Sequence, residues 1–221
     1  MIALIDYGAG NLTSVKKALA TVGAEVIVPI EPGQIAEAGG VIVPGVGHFG
    51  ATRALTDEWI EAILQRVGEG RPLLGICLGM QWLFEGSDEA PDCRGLGLLA
   101  GRCFRLGGVR LKPDTTKEEQ APRVGSVRLQ PDRIKVPHVG WNSLEIQREA
   151  SIAEGVPSGA QVYFTHSYVG PVTSDTVAVT QHGEPFAAIV QRGQVTGVQF
   201  HPEKSGDVGL RILRNFLELV G

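Results

Sequence analysis

A chain of 221 residues with 43% hydrophobic content is long enough to bury a core without disulfides or a structural metal, and we read residues 1–221 as one domain. A net charge of −4 leaves no basic footprint for nucleic acid, and no uninterrupted run of about 20 apolar residues offers a membrane span. Its three cysteines, Cys77, Cys93 and Cys103, have neither the even count of a disulfide framework nor the paired spacing of a zinc site, so a cytoplasmic setting without metal is expected.

Met1 to Gly10 carries no basic residue ahead of its apolar run and reads as no secretory leader. Within it, Ile2–Ile5 is a buried-strand candidate. A turn at Asp6–Gly10 leads into a helix from Asn11 to about Val22. Glu25–Val28 and Gly40–Val43 are further strands, and Leu55, Trp59, Ile60, Ile63, Leu64 and Val67 recur at helical spacing. Pro72–Ile76 is the next apolar run and feeds directly into a helix over Leu78–Glu85. Strands apolar on both faces and separated by helices predict a mostly parallel sheet flanked by helices, an α/β fold.

Beyond Leu96 the pattern changes to short strands bounded by Gly and Pro: Leu98–Leu106, Ser126–Leu129, Leu144–Ile146, Gln161–His166, Thr176–Thr180, Phe186–Gln191 and Gln194–Phe200. These predict an antiparallel annex in the second half. Val208–Val220 closes the chain as a helix with Ile212, Leu213, Phe216, Leu217 and Val220 on one face. Residues 107–135 are dense in charge and contain Pro113, Pro122 and Pro131, which marks a solvated, insertion-like segment. Thirty glycines in the chain are about twice the usual ~7%, which implies many tight turns.

Three motifs carry chemistry. Gly75-Ile76-Cys77-Leu78-Gly79 lies between a strand and a helix, where glycines on both sides of a nucleophile permit a sharp turn that lifts it above the sheet edge. The positive end of a helix favours the thiolate, the form that attacks a carbonyl. Taken alone, a buried inert cysteine reads equally well. His201-Pro202-Glu203 follows an apolar strand, and residues two apart on an extended chain point the same way. His201 can then act as the base beside Cys77 while Glu203 orients its ring. Pro44-Gly45-Val46-Gly47 follows the strand ending at Val43. It is either an ordinary turn or one source of the two backbone amides a tetrahedral oxyanion needs, with Leu78 placed to give the other.

In this order, PGVG, GICLGMQ and HPEKS resemble the class I (triad) glutamine amidotransferases, whose fold is flavodoxin-like. Asp6-Tyr7-Gly8-Ala9-Gly10-Asn11-Leu12, Lys135–Asn142 (KVPHVGWN) and Tyr163–Tyr168 (YFTHSY) are similar to one branch, the glutaminase subunits of imidazole glycerol phosphate synthase in histidine biosynthesis. That resemblance covers nearly the whole chain. It implies Cys77 as nucleophile, His201 as general base and then acid, Glu203 as orienting carboxylate, and Val46 and Leu78 as oxyanion amides. Gly47, Gln81, Ser167 and Tyr168 would hold glutamine, and no cofactor is implied.

The resemblance also implies a partner, a (β/α)8-barrel cyclase that receives ammonia, with Asn11, Trp141, Tyr163 and Lys204 at the interface. Trp141 and Tyr163 read alternatively as core aromatics. The 107–135 segment is longer than this branch leads one to expect. Other readings are the glutaminase of pyridoxal phosphate synthesis, which has a similar triad but not the DYGxGNL opening, a non-catalytic subunit of the same fold, and a cysteine peptidase or deglycase. If the PGVG peptide has to turn before its amide faces the oxyanion, the chain by itself is weakly active.

Overall fold

The computed structural model describes residues 1–107 and 134–221. The first half builds β1 (Ile2–Leu4), α1 (Leu12–Thr21), β2 (Val26–Ile27), β3 (Gly40–Gly45), α2 (Asp57–Gly68), β4 (Leu73–Cys77), α3 (Leu78–Leu83), β5 (Gly86–Ser87) and β6 (Arg102–Arg105). The second builds β7 (His138–Ser143), β8 (Glu145–Ile146), β9 (Gln161–His166), β10 (Tyr168–Val169), β11 (Thr176–His182), β12 (Glu184–Arg192), β13 (Val195–Val198) and α4 (Gly206–Val220).

Eight strands form the central sheet in the order β2-β1-β3-β4-β13-β12-β11-β8. The first five run parallel, and their order along the chain is that of a flavodoxin-like sheet. Alternation on β1 explains why these strands are apolar throughout. Ile2 and Leu4 face a core closed by α1 and α4, while Ala3 and Ile5 face the opposite core, which includes Ile63 of α2 and Met80 and Trp82 of α3. Both faces are covered, so neither tolerates a polar stripe. On α1, Val15, Ala18 and Leu19 are the buried face, and on α4 it is Gly209, Ile212, Leu213, Asn215 and Phe216.

The second half is antiparallel, as expected, and most of it extends the central sheet. Strands β12, β11 and β8 continue the central sheet antiparallel to β13. Among the described residues, β10-β6-β5 and β7-β9 stand outside it as small sheets. The strand expected at Leu98–Leu106 shrinks to Arg102–Arg105, because Gly97 (φ +70°) and Gly101 (φ +98°) turn the chain where an extended strand cannot. The Lys135–Asn142 motif, read for its resemblance alone, contains most of β7, paired with β9 from His138↔His166 to Ser143↔Gln161. The Ser126–Leu129 strand and nearly all of the charged segment lie outside the described residues.

Candidate active site

Strands β3, β4 and β13 are neighbours in the sheet, with Gly45 opposite Cys77 and Val198 opposite Ile76. Their carboxyl ends therefore bring together residues 44–47, 75–79 and 201–203, three motifs far apart in sequence. Open α/β sheets place their sites at this edge.

Cys77 ends β4 and α3 begins at the next residue, with no connecting loop. The turn is made by Cys77 itself at φ +53°, a conformation that costs a non-glycine residue about 1–3 kcal/mol. Packing enforces it. A Cβ on Gly75 would lie 2.6 Å from the backbone of Gly79 and Met80, and one on Gly79 would overlap the Val43 carbonyl oxygen. The glycines of the motif thus let α3 sit at backbone contact over β3 and β4, which fixes Cys77 at the first turn of the helix.

Around Cys77 the groups form two connected sets. His201 is 2% exposed, and its Nδ1 lies 2.9 Å from Glu203 Oε1. The other ring nitrogen, Nε2, is buried with no hydrogen-bond partner among the described residues, and Cys77 is the neighbour that acts on its charge. Burial works against charge on this ring, but its interactions with Cys77 and Glu203 outweigh it and raise its pKa to about 9. On the other side, Gln199 donates from Nε2 to the Cys77 sulfur at 3.6 Å. Gln199 Oε1 in turn accepts from Gln81 Nε2 at 3.1 Å, which also donates to the Tyr168 carbonyl at 2.8 Å.

A cavity of about 220 Å³ opens beside the sulfur and is lined by Gly47, Cys77, Leu78, Gln81, Glu89, Pro137, Thr165, His166, Ser167 and Tyr168. All four residues expected to hold glutamine are in this wall. Two contributors escaped the sequence reading. Gln199 is a fully buried polar residue inside an apolar strand run, a signal that was there to be read. Glu89 lies in a loop after β5 with nothing in its spacing to mark it, yet it lines the cavity while accepting a 2.7 Å bond from the Phe49 amide. His166, in the same wall, is held neutral: burial first, then the neighbouring histidines, lower its pKa to about 3.

The two oxyanion candidates differ. Leu78 is the first residue of α3, so its N–H has no partner within the helix. The Val46 N–H donates instead to the Ala9 carbonyl at 2.9 Å and is turned away from the cavity.

Of the residues expected at an interface, Trp141 is 56% exposed beside Val139 at 57%, so it is no core aromatic. It meets Tyr163 edge-on at 6.1 Å, and Lys204 Nζ sits 5.8 Å from the Tyr163 ring centre. Asn11 has a local job as well, since its side chain caps α1 by accepting from the Ser14 amide at 3.3 Å. Cys93 and Cys103 are buried free thiols, paired weakly with Thr52 and the Gln81 carbonyl, and His48 caps a 3-10 turn. Among the described residues no helix is long and apolar enough to cross a membrane.

A flavodoxin-like sheet carrying a cysteine elbow with a paired His and Glu is the architecture of the class I glutamine amidotransferases. Residues 3–220 match the glutamine amidotransferase class-I family, and the chain belongs to it. Its curated relatives are more particular. It is 45% identical over 223 residues to the imidazole glycerol phosphate synthase subunit HisH of Shouchella clausii, covering 100% of this chain and 99% of that protein. It is 44% identical to the protein of the same name in Syntrophotalea carbinolica, with 98% of each covered. Among solved structures, a glutamine amidotransferase crystal structure superposes with a TM-score of 0.70 at 22% identity over 100% of both chains. The structure of PurLQS from Thermotoga maritima reaches 0.69 at 16% identity, over 100% of this chain and 98% of that one. These two share the fold.

Proposed function

We propose that this chain is the glutaminase subunit of an imidazole glycerol phosphate synthase, folded as one glutamine amidotransferase domain, and that Cys77, His201 and Glu203 carry its chemistry. The observation that carries the reading is the strained Cys77 elbow beside a glutamine-sized cavity, with a Glu203-bonded imidazole within reach of the sulfur. Full-length identity to subunits of that name supports the choice within the family.

The Cys77 sulfur attacks the side-chain amide carbon of glutamine, and His201 delivers a proton to the departing nitrogen, which leaves as ammonia. The resulting thioester takes up a water that His201 deprotonates, releasing glutamate and the thiol. Glu203 holds the ring so that Nε2 faces the sulfur. Leu78 and, once turned inward, Val46 donate their amides to the oxyanion of each tetrahedral intermediate. Gly47, Gln81, Ser167 and Tyr168 shape the cavity around the substrate, and the Glu89 carboxylate receives its α-ammonium group.

Ammonia released near neutral pH would be protonated in water and lose its nucleophilicity, so it has to pass directly to an acceptor. The partner is a (β/α)8-barrel cyclase that docks on the exposed Val139–Trp141 surface with Asn11, Tyr163 and Lys204, and the assembly works in the cytoplasm. Glutamate release assayed with and without a cyclase and its phosphorylated acceptor tests this reading. Strong stimulation is the expected result. Peptide turnover by the chain alone, with no glutamine hydrolysis in the complex, would overturn it.

A further inference from the structure

Tyr7 has no part in the chemistry above, yet its hydroxyl is conspicuously placed. Its Oη is buried without a hydrogen-bond partner among the described residues, a costly arrangement for a phenol that could otherwise be solvated. The oxygen lies against the oxyanion strand: a Cβ on Gly45 would collide with Tyr7 Oη before it met the Leu78 side chain at 2.8 Å. Burial, and after it the charge of nearby Cys77, hold the phenol in its protonated, donating form. Tyr7 is also two residues from Ala9, whose carbonyl engages the Val46 amide.

A trans peptide points its N–H and its C=O in opposite directions. The Gly45–Val46 peptide now aims its N–H at Ala9, so its carbonyl is aimed away from the Tyr7–Ala9 turn. Turning it to present the Val46 amide to an oxyanion breaks the bond to Ala9 and swings the Gly45 carbonyl toward that turn. Gly45, which must be glycine to clear Tyr7, and Gly47, at φ +99°, flank a segment that can make this rotation.

We propose that Tyr7 is a positioning residue for the oxyanion strand: its hydroxyl donates to the Gly45 carbonyl when the Gly45–Val46 peptide is turned, replacing the bond lost at Ala9 and holding the Val46 amide on the oxyanion. The unpartnered O–H is thus waiting for the working conformation. This inference rests on the glutaminase reading.

The aldehyde analogue of glutamine tests both, because addition of the Cys77 thiol to its carbonyl gives a hemithioacetal whose oxygen occupies the oxyanion position. Tyr7→Phe keeps the ring and removes the donor. In the complex with the cyclase and its acceptor, Y7F should bind the aldehyde about tenfold more weakly and lose a similar factor in kcat. Its KM for glutamine and the rate at which iodoacetamide alkylates Cys77 should stay as in the parent. A structure of the parent adduct should show Tyr7 Oη within hydrogen-bond distance of the Gly45 oxygen. Equal aldehyde affinity in Y7F and parent, an alkylation rate that falls along with kcat, or an adduct with Tyr7 still unpartnered would overturn the proposal alone. A parent chain that does not bind the aldehyde would overturn the glutaminase reading itself.

Discussion

The Val46 amide donates its hydrogen to the Ala9 carbonyl at 2.9 Å, while Leu78, which lines the cavity, begins its helix with an N–H the helix does not use. If these two amides are the oxyanion donors, the Val46 one is turned away in this conformation. An oxyanion donor is worth about 10²–10³ in kcat. Glutamine hydrolysis by the chain alone should accordingly be slow and should rise by about that factor when cyclase and acceptor are added, in kcat more than in KM. Full turnover by the isolated subunit would show that the Val46 peptide needs no rearrangement.

The His201–Glu203 pair predicts a pH signature. The ring's pKa is raised to about 9 from about 6.5 unfolded. The stability this contributes is complete below about pH 6.5 and is lost as pH rises through 9. Glu203→Gln should lower the His201 titration seen by NMR and reduce kcat on the order of 10²-fold or more. An unchanged His201 titration in that variant would remove Glu203 from its assigned role.

Glu89 predicts a substrate-recognition effect. Glu89→Gln still offers an acceptor to the Phe49 amide but no charge to an α-ammonium group. KM for glutamine should rise about tenfold or more, with kcat nearly kept. Discrimination against the analogue lacking the α-amino group should shrink by the same factor. If E89Q retains full discrimination, the ammonium is bound elsewhere.

Two glycines predict opposite stability changes. Gly79→Ala places a methyl against the Val43 carbonyl, so α3 must lift from the sheet at a cost of about 3 kcal/mol. Gly68, the last residue of α2, has open space around it; Gly68→Ala should stabilise by roughly 0.4–1 kcal/mol. Denaturant melts of the two variants check both signs.

Much of this was legible in the sequence, for identifiable reasons. Runs such as Ile2–Ile5 and Pro72–Ile76 are apolar at every position because both faces of the sheet are covered, and the triad motifs are short because each side chain sits at the end of one strand. The strand in Lys135–Asn142 was not legible: on β7 the large apolar residues, Val139 and Trp141, are on the exposed face while the more buried face carries His138, Gly140 and Asn142, the reverse of the usual half-buried pattern. Nor was the joining of β13, β12, β11 and β8 into the main sheet, since pairing partners leave no trace in a single strand's pattern. Glu89 and Tyr7 reach the site through tertiary packing, and Val46's bond to Ala9 depends on the orientation of a single peptide plane. The glycine excess could be sorted only by contact: Gly75 and Gly79 clear a backbone, while Gly68 clears nothing.

The central claim is that Cys77 attacks glutamine and forms a thioester as ammonia departs, and the Cys77→Ala variant assayed in complex with the cyclase tests it most directly. Synthesis driven by glutamine should disappear, while synthesis driven by added ammonium salt should continue at the parent rate. Continued use of glutamine by C77A would contradict the account.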